Sequence, residues 1–478
     1  MKNLYKIKLN KQKNRFISTL IGTIIYFTGI ISPLGIGQYS VYITSYFHFY
    51  NPKIQIQIGN LMMPILILFV SLSSPLGGIL EHKIGMHLTL LINSILLEIF
   101  IFFFILQRNI YLTFLIIIFI GINIGTIIAI PMKNICFYYP NNKGIIMGLI
   151  TSFNIIFGAI MNVLGEKIIN PNKIIIKEGE TYYPLEISKN YIKFYKLILI
   201  VIPACSIISL LLIKKYNPIF NDEQEQKLDK SINNLDKKDE YYSKNIKAAI
   251  FNSRIWKIAS VSIFGQFVIS FALNTFRVYG ALISINGSVM QYSPLLFALS
   301  NIIFGPIWGY INDKLQSFRI AKFICLFSII HSIIFCIFIK SNLMYIVCIF
   351  IGLIFNSGLQ SIIQPHIMKI FGIKYSIEIG GVVSISVGIV NILKSSLSFF
   401  ISLYYKTGKQ LQNAYRFVYL IGVGINFLGF YYASKENEEC FIYPYSPKNN
   451  SLENLEKTKN VNISQLPKNE IKIENNIK

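Results

Sequence analysis

Long apolar runs recur along almost the whole chain, and they restrict its fold more than any other feature. Each is long enough to cross a bilayer as a helix, for which roughly 20 residues suffice. Only 14% of the 478 residues are charged, against about 25% in a soluble globular domain. We therefore predict an all-α, multi-pass integral membrane protein. The runs lie near residues 16–47, 56–80, 87–107, 110–135, 144–166, 191–213, 255–284, 291–312, 320–340, 343–367, 378–404 and 412–433.

Basic residues are concentrated before the first run, between the sixth and seventh, in the 312–322 loop and after the last. Cytoplasmic loops carry an excess of Lys and Arg, so both termini are predicted to be cytoplasmic, in a plasma or organelle membrane. The predicted domains are a cytoplasmic N-terminus (1–15), an N-terminal six-helix bundle (16–213), a cytoplasmic linker (214–250), a C-terminal six-helix bundle (251–433) and a disordered cytoplasmic tail (434–478).

A short repeat supports the division into two halves. Gly77–Gly85, at the end of the second run, contains three glycines, Glu81 and Lys83. Gly305–Lys314, at the end of the eighth, contains two glycines, Asp313 and Lys314. Small residues let helices pack closely, and an acid beside a base can pair at a helix end. Twelve transmembrane helices in two pseudo-symmetric six-helix bundles resemble the plan of the major facilitator fold.

Several function classes find no support in the residues. The net charge of +23 is explained by basic loops and membrane flanks, so nucleic acid is not an expected partner. No HxxxH, DxxH or GxSxG cluster is present, which argues against an integral-membrane enzyme. The sequence contains no CxxC pair, so it does not suggest a zinc site. We expect no cofactor, and a monomer.

Lys394 lies near the middle of an apolar run and is the leading candidate for a substrate-binding residue. A lysine at mid-bilayer costs about 2.5–3.5 kcal/mol on insertion scales. Asn391 and Ser398 share its helical face. Glu378 is too distant to pair with it, about 24 Å away along a helix rising 1.5 Å per residue. The sequence favours an anion site and leaves a structural ion pair as the alternative.

Polar stripes mark further candidates. Those on the seventh span (Ser262, Gln266, Ser270, Asn274, Arg277) and the fifth (Asn154, Gly158, Asn162) predict cavity lining or packing between helices. Arg277 would contact substrate or reach the outer headgroups. On the first span, Gln38 or Tyr39, Tyr42 and Tyr46 would form a wall around a small carboxylate or an interfacial aromatic belt. His331 is expected to bond to a neighbouring helix rather than relay protons.

Three stretches carry a family resemblance: Phe137–Gly148 leading into Asn154, Phe371–Tyr375, and Gly37–Tyr46. They resemble the oxalate–formate antiporter and monocarboxylate transporter branch of the major facilitator superfamily, over most of residues 16–433. That resemblance implies a dicarboxylate held by a lysine on the eleventh span and an arginine on the eighth span. Lys394 matches the lysine. Residues 291–311 contain no basic side chain, so Arg277 is a candidate replacement for the arginine.

The resulting hypothesis is a secondary or facilitative transporter of a small, monocarboxylate-like organic anion. Symport or antiport with a second ion, and simple facilitated diffusion, remain open. The alternatives are a carrier of another solute, such as an amino acid or a drug, and a non-transporting membrane sensor. The candidate substrate-binding residues are Lys394, Arg277, Asn391, Gln38, Tyr39, Tyr42, Asn274, Gln266 and Asn154.

Overall fold

Almost all of the chain that the structure describes is helical. The structure is a computed structural model that describes residues 2–31, 33, 36–172, 174, 182–216, 253–283, 285, 293–315, 317–337, 341–371, 373, 375–405 and 408–435. Its helices are α1 (Lys2–Ile31), α2 (Ile36–Tyr50), a 3-10 turn (Ile56–Leu61), α3 (Met62–Ile84), α4 (Met86–Leu106), α5 (Ile110–Cys136), α6 (Lys143–Ile169), α7 (Leu185–Ser188), α8 (Tyr191–Leu212), α9 (Ser253–Leu282), α10 (Ser293–Lys314), α11 (Ser317–Ile337), α12 (Asn342–Ile370), α13 (Ser376–Tyr404) and α14 (Gly408–Ser434).

The expected all-α membrane fold is confirmed. Among the described residues, nine helical stretches are long and apolar enough to cross a membrane. Every predicted span has a helical counterpart, but the first is divided between α1 and α2. Pro33 lies between these helices, and proline removes a backbone donor and clashes with the preceding helical turn. The predicted linker and tail lie outside the described residues, apart from the first three residues of the linker and the first two of the tail.

Local residue chemistry sets several helix ends. Gly85 ends α3 with a φ of +86°, a conformation that glycine adopts without a steric penalty. The Asn109 side chain accepts the N–H of Tyr111 at 2.9 Å and begins α5. Ser341 accepts the N–H of Met344 at 3.2 Å and begins α12. Both are ordinary N-caps, so these loops are fixed by the sequence that borders each apolar run.

Apolar side chains form the interior of each half and also its outer surface. We call α1–α8 the first half and α9–α14 the second half. Tyr195 and Phe194 are fully buried in the first half, whereas Phe102 is half exposed. Large apolar residues are likewise exposed along α4, α5, α8 and α11. In a chain with membrane spans, such a surface is suited to contact with lipid.

Two helix pairs make most of the contact between the halves: α3 packs against α13, and α6 packs against α10. Side chains of the second half also enter apolar clusters of the first. Ile377 at the start of α13 and Met368 near the end of α12 are buried among first-half residues. These contacts hold the two halves in one compact unit, and they position the polar residues considered next.

Candidate functional site

The α6–α10 contact is made by glycines. A Cβ added at Gly148 would lie 2.5 Å from the carbonyl oxygen of Gly305. One added at Gly144 would collide with the carbonyl of Gly309. Ser152, one turn beyond Gly148, donates a hydrogen bond of 2.7 Å to the carbonyl of Asn301. Small residues therefore let the two halves meet backbone to backbone, as the repeated glycines of the second half predicted.

Asp313 fastens one end of this contact. Its Oδ1 accepts the backbone N–H of Gly144 at 2.9 Å, and its Oδ2 accepts that of Ile145 at 3.0 Å. The N–H groups of a first helical turn have no partner inside their own helix. They also carry the positive end of the helix dipole. A carboxylate of the second half thus completes the N-terminus of a first-half helix.

The α3–α13 contact also begins with small residues. A Cβ at Gly78 would collide with the carboxyl group of Glu378. Further along, one at Gly381 would lie 2.5 Å from the nitrogen of Pro75, and one at Gly388 would lie 2.6 Å from Cβ of Ser71. The first repeat copy, which contains Gly78, therefore lies at a helix contact between the halves. This location fits the packing role that its glycines predicted.

Four ionisable residues lie together where α3 meets α13. Lys133 Nζ of α5 lies 2.7 Å from Glu81 Oε2. His82 Nε2 lies 3.2 Å from Glu378 Oε1. Glu378 is 1% exposed, and its Oε2 has no hydrogen-bond partner among the described residues. Asp313 lies on the same side, because residues 137–142 join the end of α5, which carries Lys133, to the start of α6, which Asp313 contacts. We call this side, with Glu81, His82, Lys133, Asp313 and Glu378, the polar end.

The pairing at the polar end differs from the expected one. The sequence allows Glu81 to pair with a base beside it, such as Lys83, but Glu81 contacts Lys133 from another helix. The sequence signal for Lys133 is a lysine inside an otherwise apolar run, and it is buried. No local sequence pattern predicts the contact between His82 and Glu378, because it joins two helices that are far apart in the chain.

Lys394 is almost completely buried, with 3% of its surface exposed. At about 100° per residue, it lies about 40° around α13 from Ser398 and about 120° from Gly388. Ser398 Oγ is 3.1 Å from Tyr415 Oη of α14, whereas Gly388 faces α3. Lys394 is therefore nearer to the face of α13 that meets α14. Asn391, one turn earlier and half-buried, lies about 60° from Lys394.

Among the other candidates, Asn154 of α6 and Gln266 of α9 are buried. Oδ1 of Asn154 has no hydrogen-bond partner among the described residues. Buried acceptors are rarely left unpaired, so this amide can receive a polar ligand or water. Gln38, Asn274 and Arg277 occupy helical positions, but their side chains lie outside the described part of the chain.

Tyr39 and Tyr42 are brought together against α6. The Tyr39 hydroxyl is within 3.2 Å of the Met161 carbonyl and donates at 2.9 Å to that of Asn162. The Tyr42 hydroxyl donates to Glu166 Oε1 at 2.8 Å. Both hydroxyls thus connect α2 to α6 within the first half. Glu166 was not predicted as a site residue, because helical spacing alone does not show that it faces a tyrosine of α2.

His331 has the contact expected for it. Its Nε2 lies 2.7 Å from the carbonyl oxygen of Cys348 on α12. This bond to a neighbouring helix confirms the structural interpretation.

Comparisons with known proteins place these features in context. A family model described as Major Facilitator Superfamily matches residues 19–395. A transporter of that superfamily, FucP, solved in its outward conformation, is similar at 13% identity and a TM-score of 0.58, over 88% of this chain and 99% of that chain. The human organic anion transporter MFSD10 (TETRAN) is similar at 10% identity and a TM-score of 0.60, with the same coverage. No curated protein sequence matches.

Proposed function

Because the chain belongs to the major facilitator superfamily, which makes it a membrane transporter, we propose that it carries a small organic anion by alternating access. The anion is monocarboxylate-like, and Lys394 supplies the charge that attracts it. Movement of two helical halves around a central site is the usual mechanism of such folds.

The observation that carries this proposal is the burial of Lys394 inside a membrane-spanning helix. An ionisable residue within a span is costly, and it usually marks a substrate or ion pathway. The lysine ammonium is a compact cation with three donors, so it suits a carboxylate of any orientation. A pocket with this charge selects against cationic substrates, because a like charge would meet the lysine.

Amide groups supply the remaining polarity of the proposed site. Asn154 has a buried oxygen without a partner among the described residues, and Asn391 lies one turn from Lys394 on α13. A neutral amide can donate to a carboxylate and accept from a hydroxyl. Arg277 remains the proposed second cation, and Gln266, Gln38, Asn274, Tyr39 and Tyr42 remain proposed lining residues.

The contacts between the halves support alternating access. At the polar end the halves are joined through α3–α13 and α6–α10, and these two contacts must part for substrate to leave on that side. With the predicted topology, the polar end faces the cytoplasm. Exchange of two anions and facilitated diffusion both fit this arrangement.

Uptake into proteoliposomes tests the proposal. The full-length protein is reconstituted and supplied with labelled formate, lactate or pyruvate. Parallel assays supply labelled amino acids instead. We expect carboxylate uptake, and we expect Lys394→Gln to reduce it at least about tenfold, because a hydrogen bond to a charged group contributes about 1.5–3 kcal/mol.

A matched control is Lys409→Gln, which removes an exposed lysine from the first turn of α14. It should leave uptake unchanged. Wild-type uptake by a well-folded Lys394→Gln protein would overturn the role of this lysine. Uptake of amino acids alone would indicate a carrier of another solute, and the absence of all flux would favour a membrane sensor.

A further inference from the structure

The boundary between the halves contains a pair of titratable groups that anion binding does not use. His82 belongs to α3 in the first half and Glu378 to α13 in the second. We propose that they form a proton-binding site, and that a proton on His82 holds the polar end closed. The ligand of this site is therefore a proton taken from the solution at the polar end.

The exposure of the two side chains suits this role. The His82 side chain is 38% exposed and the Glu378 side chain 2%. A proton from solution can thus reach the imidazole, whereas the carboxylate is shielded. The Tyr375 ring lies against the imidazole with 5.3 Å between ring centroids, which holds the imidazole beside the carboxylate. Histidine is the side chain whose ordinary titration lies nearest neutral pH.

The charges around His82 and Glu378 favour the binding of one proton. Lys133 and Glu81 face each other at 2.7 Å and balance. Lys83, next to His82, is exposed to solvent. The first turn of α13 supplies only partial positive charge to Glu378. A neutral His82 therefore leaves this buried carboxylate without a full counter-charge, and a protonated His82 supplies one.

The pair exists only while the halves touch. The carboxyl group of Glu378 lies directly over Gly78 of α3, so separation of α3 from α13 also separates His82 from Glu378. A ligand that binds one conformation more tightly shifts the population toward it. Closing the polar end then takes up a proton and opening releases it, so acid favours the closed form and alkali the open one.

The test measures conformation without substrate, so it is independent of the anion proposed above. Spin labels are attached to cysteines introduced at Tyr139, after α5, and at Leu315, after α10, in full-length protein whose native cysteines are replaced. Both positions are exposed. The distance between the labels is measured in lipid nanodiscs from pH 5.5 to pH 8.

For the wild-type sequence we expect the ratio of closed to open form to fall at least fivefold as the pH rises. His82→Gln and Glu378→Gln should abolish this dependence. His87→Gln, an exposed histidine on α4, should retain it. His82→Arg carries a permanent charge and should remain closed at every pH.

A pH-independent wild-type distance would overturn the proposal, whether or not the protein transports an anion. A wild-type pH response in a folded His82→Gln protein would overturn it too. His82→Arg guards against misfolding of the glutamine variant, because a pH-dependent distance in that protein would also contradict the proton site.

Discussion

The carboxylate of Asp313 accepts the backbone N–H of Gly144 at 2.9 Å, so a residue of the second half completes the first turn of a helix in the first half. Each half therefore lacks part of its hydrogen bonding when the other moves away. In the open form, water must satisfy the first turn of α6. This relationship makes the integrity of a helix end depend on the conformation of the whole transporter.

Replacing Asp313 should open the polar end. Asp313→Ala removes both acceptors and the charge that faces the helix dipole, and a charged hydrogen bond of this kind contributes about 1.5–3 kcal/mol. We expect the ratio of closed to open form to fall about tenfold or more, measured by the distance between labels at Tyr139 and Leu315. Asp313→Asn keeps one acceptor oxygen, so its ratio of closed to open form should lie between those of the wild type and Asp313→Ala. An unchanged ratio in Asp313→Ala would show that these bonds do not hold the halves together.

A methyl group at Gly148 should force α6 and α10 apart. Its Cβ would lie 2.5 Å from the carbonyl oxygen of Gly305, and overpacking of this kind costs about 1–3 kcal/mol. Gly148→Ala should therefore populate the open polar end and slow transport. The matched control is Gly424→Ala on α14, where an added Cβ meets nothing within 4 Å. Equal effects of the two variants would contradict the close approach.

The Lys133–Glu81 pair should show strong coupling. Lys133 is 4% exposed and Glu81 16%, and removing one member of a buried pair costs about 3–5 kcal/mol. We expect Lys133→Gln and Glu81→Gln each to lower the thermal midpoint in detergent, and the double variant to recover part of the loss. Strictly additive effects would mean that the pair contributes no net interaction.

Tyr39→Phe separates a structural from a substrate-binding role. Loss of its bond to the Asn162 carbonyl should lower stability by about 0.5–1.5 kcal/mol. The KM for the anion should stay unchanged, because phenylalanine keeps the aromatic ring with which Tyr39 would line the site. Tyr111→Phe, at a residue 74% exposed, should alter neither quantity. A raised KM with unchanged stability would instead show that the Tyr39 hydroxyl itself contacts the substrate.

The helices were largely predictable because lipid allows few alternatives for an apolar segment of this length. The glycines of the repeats also indicated close packing, and Gly78, Gly305 and Gly309 lie at such contacts. The break in the first span was missed because length and hydropathy alone do not weigh a proline such as Pro33.

The polar contacts were harder to foresee. Helical spacing correctly separated Glu378 from Lys394, since rise per residue is a local property. The actual neighbour of Glu378, His82, depends on how α3 and α13 pack, and this is decided by many weak apolar contacts. The candidate site is therefore predictable within each helix and much less so between helices.

The glycine contact between α6 and α10 has a kinetic consequence. Gly144, Gly148, Gly305 and Gly309 have no side chains to interlock, so the two surfaces can part and rejoin without any rotamer being frozen at these positions. The barrier to opening should then reside in the few polar bonds beside them. Substitutions of those polar residues should change the speed of each transport cycle more than the shape of either end state.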